Sequence, residues 1–314
     1  MRVAATDAGG SAAAAAPTGA PVLAATTVLL VRDGAEGLET MVLRRNLRSD
    51  FLGGAYVFPG GAAEPDDTDP SVYARCAGLD DATASARLGL ERDGLGQWVA
   101  GVRETFEEAG LLLARHRGTG EAVSFADPEV ARRFEGHRRS VDRGERTMAD
   151  LCAAEDLELA VGELRPVARW VTPTVASRRY DTWFLLGAAP TDQVAVHDDG
   201  EVIDVDWVRP AAALGAHRTG ALDMMYPTVR LLEWLASAGS TVQALADADG
   251  LGELPRVEPR VVDVGDGRRQ LLMPGDDGYG SLPDASGPGG HVRGAELLAL
   301  CRERVLTRHP VEGG

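Results

Sequence analysis

Residues 98–114 read WVAGVRETFEEAGLLLA. Arg103 and three glutamates, Glu104, Glu107 and Glu108, fall within six positions, with apolar residues on both sides. At 100° per residue, Trp98, Val102, Phe106 and Ala109 share one face of a helix and the glutamates take the opposite face. The pattern predicts a helix over about 97–109, ended by Gly110, anchored by one side and presenting carboxylates from the other. Like charges at i, i+3 and i+4 repel by roughly 0.2–0.5 kcal/mol per pair. Two readings account for the cluster: a solvated acidic stripe, or a carboxylate face that holds a hard divalent cation among oxygen ligands.

The rest of the chain narrows the choice. Its 314 residues suit one large or two small domains, and 44% apolar content suffices for a packed core. A formal charge of −16 argues against an extended nucleic-acid or anionic-membrane surface, so neither is expected as a partner. A small anionic substrate is compatible, because a few arginines or a bound cation invert the local field. All 32 basic residues are arginine. Schiff-base, Ser-Lys and P-loop chemistry each need an ammonium, so all three are excluded. Cys76, Cys152 and Cys301 lie far apart with no CxxC pair, which favours buried thiols and a reducing cytoplasmic compartment. Residues 1–20 are Ala/Gly-rich without a bulky apolar run and are expected to be a disordered tail rather than a signal peptide.

Along the chain, VLAATTVLLVRDG and LETMVLRR read as an antiparallel pair turning at Asp33-Gly34. AYVFPGG reads as a short strand ending in a glycine turn, followed by a weak helix from about Val72 to Leu90. One or two helices are expected over 126–156, and then strands at RPVARWVTP, DTWFLLGAA and EVIDVDWVRP. Helices follow at PAAALGAHR and YPTVRLLEWLAS. From about Ala238 the chain is Gly/Asp/Pro-rich, with short strands near PRVVDV and RRQLLMP. LADADGLGELPR has Leu245 and Arg256 at the first and twelfth positions of an EF-hand loop, so it is read as an ordinary loop. Trp98, Trp170, Trp183 and Trp207 are read as core residues. His116, His137, His197 and His217 lack ligand spacing. Interleaved strands and helices predict a layered α+β or α/β domain.

RETFEEAGL fits REUxEExGU, the second half of the signature of the Nudix hydrolases, with Thr105 in an aliphatic slot. The first half, a glycine followed six positions later by an acid, resembles FPGGAAEPDD: Gly60-Gly61, then Glu64, then Asp67 where glutamate is usual. Counting directly upstream from Arg103 instead gives Gly89 and Leu95, which lacks the acid, so the split version is preferred. The resemblance implies the Nudix fold, an α/β/α sandwich with a mixed sheet, over residues 21–240. A helical insertion within the signature, about 68–96, and a C-terminal extension, 241–314, packing on the domain complete it. Because it joins the two halves, the insertion is expected beside the cleft, where it would shape substrate choice. The split signature and the long tail look like the branch that includes peroxisomal coenzyme A diphosphatases of animals.

What the resemblance implies is metal-dependent hydrolysis of a nucleoside diphosphate linked to another moiety, with coenzyme A or acyl-coenzyme A as candidates. Glu104, Glu107, Glu108 and the Gly60 carbonyl would hold Mg²⁺ or Mn²⁺, and Arg103 would orient the glutamates. Glu64 and Glu201 are both candidates for the general base. RRNLRSDFLGGAYVFPGG keeps Arg45, Gly54 and Phe58-Pro59-Gly60-Gly61 of the pattern upstream of the signature in coenzyme A-cleaving members. Asp50 stands where a second arginine is expected and Asn46 replaces a serine, with Arg48 as a spatial substitute. Arg45 and Arg48 are thus the substrate-binding candidates. An ADP-ribose or nucleotide-sugar diphosphatase is the alternative enzyme, and a Nudix-fold ligand sensor the alternative from outside catalysis. A homodimer is compatible with all of these.

Overall fold

The computed structural model describes residues 20–46, 54–197, 202–285 and 294–308. Arg48 and Glu201, and the tail expected over 1–20 apart from its last residue, lie outside them. In chain order the strands are β1 (Val22–Gly34), β2 (Gly37–Arg45), β3 (Tyr56–Val57), β4 (Gly60–Ala62), β5 (Ala114–His116), β6 (Leu157–Leu159), β7 (Arg165–Val171), β8 (Arg179–Ala188), β9 (Val202–Val208), β10 (Arg256–Val257), β11 (Arg260–Asp263) and β12 (Arg269–Leu272). The helices are α1 (Pro70–Tyr73), α2 (Asp81–Leu88), α3 (Leu95–Ala109), α4 (Pro128–Asp142), α5 (Met148–Glu155), α6 (Pro210–Thr219), α7 (Tyr226–Leu235), α8 (Thr241–Asp249) and α9 (Gly294–Arg308).

A mixed sheet of order β10-β7-β8-β1-β2 forms the middle layer, with β9 on the outer edge of β2. β1 and β8 run parallel over ten residue pairs, from Val22↔Arg179 to Val31↔Ala188. The β1–β2 hairpin pairs Val31↔Thr40 to Gly34↔Gly37, so Asp33 and Gly34 end the strand and the turn itself falls two residues later than expected, at Ala35-Glu36. Away from that turn β3 pairs with β2 and β4 pairs with β1. The segment 56–62 therefore fills a wedge between the two long strands. The glycine pair sits inside β4 rather than in a turn. A Cβ on Gly60 would lie 2.3 Å from the Thr26 carbonyl oxygen, so only glycine lets the strand lie this close.

Side chains alternate between two layers. Val28, Leu30, Trp183 and Leu185 pack toward α3 and the insertion, while Leu29, Val31, Phe184 and Leu186 pack in the layer containing residues of α6 to α9. Trp98 and Phe106 are fully buried, each worth roughly 1.5–3 kcal/mol of apolar burial. The Trp98 indole N–H donates to the Leu164 carbonyl at 3.1 Å.

Three local expectations are corrected. The helix expected over Val72–Leu90 is two short ones, α1 and α2, each capped by an aspartate side chain (Asp69 to Ser71 N–H, Asp80 to Thr83 N–H). Gly89, the glycine of the contiguous reading, is the left-handed C-cap of α2 (φ 64°). The first half of LADADGLGELPR belongs to α8 rather than to a loop. The Gly/Asp/Pro-rich end of the chain contributes two helices, α8 and α9, besides β10 to β12. Among the described residues no helix is long and apolar enough to cross a membrane.

Candidate active site

Gly94 opens α3 and Gly110, in left-handed conformation, closes it. Thirteen of its fifteen residues are buried, so this helix is no surface stripe. Thr105, the departure from an aliphatic slot, is 0% exposed. Its hydroxyl donates to the Gly101 carbonyl one turn back at 2.7 Å, which satisfies the polar group without changing the packing. The carboxylates do lie away from the Trp98 stripe, but they face the backbone of β4 rather than bulk water.

Arg103 organises them. Its Nε and one terminal nitrogen donate to both oxygens of Asp67 at 3.0 and 2.9 Å, a bidentate grip across 36 positions. The same terminal nitrogen donates to the Ala62 carbonyl at 2.9 Å. The other donates to Glu104 at 2.9 Å and Glu107 at 2.8 Å. Asp67 also accepts from the Glu64 backbone N–H at 2.8 Å, fixing the turn after β4. Glu108 accepts from the Gly60 N–H at 2.8 Å. The split signature is thus one assembly in space, and aspartate at position 67 is long enough to join it.

Both glycines take part. A Cβ on Gly61 would sit 2.3 Å from Glu104 Oε1, so that carboxylate lies directly on the strand backbone. Bonds from Val28 N–H to Pro59 and from Ala63 N–H to Ala24 alternate along β4. That alternation points the N–H and C=O of Gly60 away from β1, toward the side where Glu108 lies.

Burial pushes the Glu107 carboxyl up to about 7, with Arg103 pulling the other way. Glu104 is raised by the same contest, burial again the larger part. Burial works against the charge of Arg103 too, but Asp67, Glu104 and Glu107 outweigh it and hold the guanidinium more firmly protonated than usual. Buried carboxylates in excess of the cation beside them are a receptive setting for a second cation. In this conformation they engage Arg103 and Gly60 rather than one another's centre. Among the described residues no three His, Cys, Asp or Glu side chains form a ready-made metal cluster.

These groups line one end of a cleft of about 870 Å³. Glu64 and Arg45 also line it. The insertion does not. Its apolar residues Val72, Leu79, Ala84 and Leu88 join the core containing the apolar face of α3, and none of residues 68–96 lines the cleft. Trp170, half-buried against the core, also lines the cleft, and Arg178, Tyr180 and Tyr226 were not foreseen there. The Arg178-Arg179 pair was the available signal: Arg179 is buried against Glu258 and the Thr172 carbonyl, whereas Arg178 is exposed at the cleft. Arg138 is a further unforeseen residue. From α4 it donates to the Glu107 carbonyl at 2.8 Å, tying down the carboxylate-bearing turn. Cys76, Cys152 and Cys301 are free thiols, each pushed up to about 12 by burial.

The family model of the NUDT19 Nudix domain matches residues 81–233. The acyl-coenzyme A diphosphatase NUDT19 of Xenopus laevis is 25% identical over 307 residues, covering 88% of this chain and 78% of its own length. The human protein of that name is 27% identical over 280 residues, covering 78% and 73% respectively. Among solved structures, a Nudix hydrolase from Alicyclobacillus acidocaldarius superposes with a TM-score of 0.60 at 26% identity, covering 72% of this chain and 96% of that one. With the two signature halves interlocked through Arg103, these likenesses show the Nudix fold and make the chain similar to the Nudix hydrolases, and among them to the coenzyme A diphosphatase branch.

Proposed function

We propose that the chain hydrolyses the diphosphate bridge of coenzyme A or an acyl-coenzyme A in a divalent-metal-dependent reaction. The observation that carries the proposal is the Asp67–Arg103–Glu104/Glu107 network, which joins two halves of a motif 36 positions apart at the mouth of one cleft. A diphosphate with substituents on both sides needs such a site with room on each side.

The donor set suits a hard cation: three carboxylates and a backbone carbonyl, all oxygen, against a strand bare of side chains at Gly60 and Gly61. Glu104, Glu107, Glu108 and the Gly60 carbonyl would hold Mg²⁺ or Mn²⁺. When bound, the ion supplies charge neutralisation for the diphosphate and a more acidic water. Arg103, fixed by Asp67 and the Ala62 carbonyl, keeps the glutamates in place as they turn from it. Glu64, exposed on the cleft wall, is positioned to take a proton from the attacking water, and Glu201 is the other candidate for that role. Water adds to one phosphorus, the bridging oxygen leaves with the other, and two phosphate monoesters result. From coenzyme A these are a nucleoside bisphosphate and phosphopantetheine.

Arg45 and Arg178 supply cationic donors on the cleft wall for the substrate's outer phosphates. The names of the vertebrate relatives favour coenzyme A thioesters. Asp50, where a second arginine is expected, and Asn46, where a serine is, favour the second reading, an ADP-ribose or nucleotide-sugar substrate. Mass spectrometry of a diphosphate metabolite library incubated with the protein and Mg²⁺ or Mn²⁺ distinguishes them. Phosphopantetheine among the products supports the first reading, and AMP with a sugar phosphate supports the second. Binding without turnover of any compound would make the protein a sensor.

A further inference from the structure

The insertion between the two signature halves stays out of the cleft, yet its side chains are tied to the start of α3. An α-helix leaves its first four N–H groups without intrahelical partners, and burial denies them water. Residues 94–97 are all buried, and Gly94, the N-cap, has no side chain to offer. Three of the four donors are satisfied by the insertion instead. The Gly94 N–H donates to Ser85 Oγ at 2.9 Å, the Leu95 N–H to Asp81 Oδ1 at 3.0 Å and the Gly96 N–H to the Tyr73 hydroxyl at 3.1 Å. The fourth, that of Gln97, donates to the Gly94 carbonyl at 3.0 Å. Through its other oxygen Asp81 also accepts from the Asp93 N–H at 3.1 Å, and its negative charge sits at the positive end of the helix dipole. Tyr73 comes from α1, and Asp81 and Ser85 come from α2.

The same turn is where α3 first meets the rest of the site. A Cβ on Gly96 would lie 2.7 Å from Thr68 Cγ2 and 3.3 Å from the Asp67 carbonyl oxygen. The helix start therefore rests on the residue whose side chain grips Arg103, two turns further along the same helix face. Beside it the Thr26 hydroxyl donates to Gln97 Oε1 at 2.8 Å. Thr26 pairs in register with Gly61, the glycine against which Glu104 lies. A slip of α3 by one residue would move it about 1.5 Å along its axis. That is enough to break both the bidentate grip of Arg103 on Asp67 and the bond from the Gly60 N–H to Glu108.

We propose that the insertion is a clamp on the start of α3. Tyr73, Asp81 and Ser85 are positioning residues that set the axial register at which the helix delivers Arg103, Glu104, Glu107 and Glu108 to β4. The residues that separate the two halves in sequence thus hold one half against the other in space, and they act on rate rather than on substrate choice. The consequence for turnover rests on the reading of these carboxylates as the cation site; the register itself does not.

The test uses the full chain and compares Tyr73→Phe, Asp81→Ala and the double variant with Ser240→Ala. The last removes the cap of α8, which packs in the opposite layer, and serves as a control for general loss of stability. Nuclear magnetic resonance follows hydrogen exchange at the Arg103 Nε–H, which donates to Asp67. A buried N–H left without its acceptor shifts a local opening equilibrium on the order of tenfold, so exchange should quicken about that much in each single variant and more in the double. In the double variant Mn²⁺ affinity and kcat for coenzyme A should fall, with KM little changed. Ser240→Ala should lower Tm and leave Arg103 exchange and Mn²⁺ affinity as they are. Where Asp81→Ala fails to fold, Tyr73→Phe, which deletes one oxygen, decides alone. Unchanged Arg103 exchange in the folded clamp variants, or equal acceleration in Ser240→Ala, would overturn the clamp. Faster exchange with unaltered Mn²⁺ affinity and kcat in the double variant would overturn its positioning role. Faster exchange in a protein whose wild type neither binds Mn²⁺ nor turns over coenzyme A would keep the clamp and overturn only the cation-site reading.

Discussion

Two parts of the cleft are made by opposite means. At the β4–α3 end everything depends on groups that are present: a buried guanidinium, four carboxylates and two glycines that let them touch the backbone. Along the floor of the cleft the space depends on what is missing, since Ala25, Thr27 and Thr182 occur on the sheet face that Leu29, Val31 and Leu186 fill further along the same strands. The first kind of site is interlocked, so one substitution propagates through several bonds. The second is a volume, so substitutions there alter what fits and leave the rest of the fold in place. Reaction and substrate choice should therefore respond to different residues.

The largest effect is expected at Asp67. Removing one partner of a buried ion pair typically costs about 3–5 kcal/mol, and Glu104 and Glu107 still partner Arg103, so Asp67→Ala should lose about 3 kcal/mol. Urea unfolding measures this, and a loss below about 1 kcal/mol would show that the pair does not hold the two halves together. Next come Glu107→Gln and Glu108→Gln, each predicted to lower kcat at least about a hundredfold. In the first variant the new amide oxygen can still accept from Arg103, so the fold should persist. Full activity in either variant would remove the carboxylates from the reaction.

Arg45→Ala comes third. If it grips the 3′-phosphate, KM for coenzyme A rises about tenfold, KM for dephospho-coenzyme A barely changes and kcat stays put. Equal changes for both substrates would assign Arg45 another role. The smallest effect is on stability against pH without metal. Glu107 has a folded pKa of about 7, above its ordinary 4.5, so the native state holds the proton more tightly than the unfolded chain. Its contribution is complete below about 4.5 and is lost as pH rises through 7. The metal-free protein should thus lose a few degrees of Tm over that window, and Glu107→Gln should flatten the slope. An unchanged slope in that variant would contradict the assignment.

How much of this was legible differs between the two in the same way. The carboxylate end announces itself because charged residues at fixed spacing and a glycine pair are rare enough to read in one dimension. Even so, Asp67 could be joined to Arg103 only through resemblance, because an insertion lies between them. That insertion turned out to back α3 rather than flank the cleft. Its apolar residues follow the pull of Trp98 and Phe106, a packing preference that spacing alone does not show. The floor left no motif, since Ala25, Thr27 and Thr182 come from two strands that only the fold makes neighbours. The C-terminal helices did leave signals. Ser240 and Gln243 have the spacing of a capping box, and Ser240 does accept from the Gln243 N–H at 3.2 Å at the start of α8. On α9, Leu297, Leu300 and Cys301 keep helical spacing and are all buried. The surrounding glycines and aspartates obscured both.

Whether the split motif closes into one cation site is decided most directly by manganese binding. Electron paramagnetic resonance follows it in the wild type and in the Glu107→Gln/Glu108→Gln double variant. Saturable Mn²⁺ binding is predicted in the wild type, and its loss in the folded double variant. Equal Mn²⁺ affinity in the two proteins would contradict a site built on these glutamates.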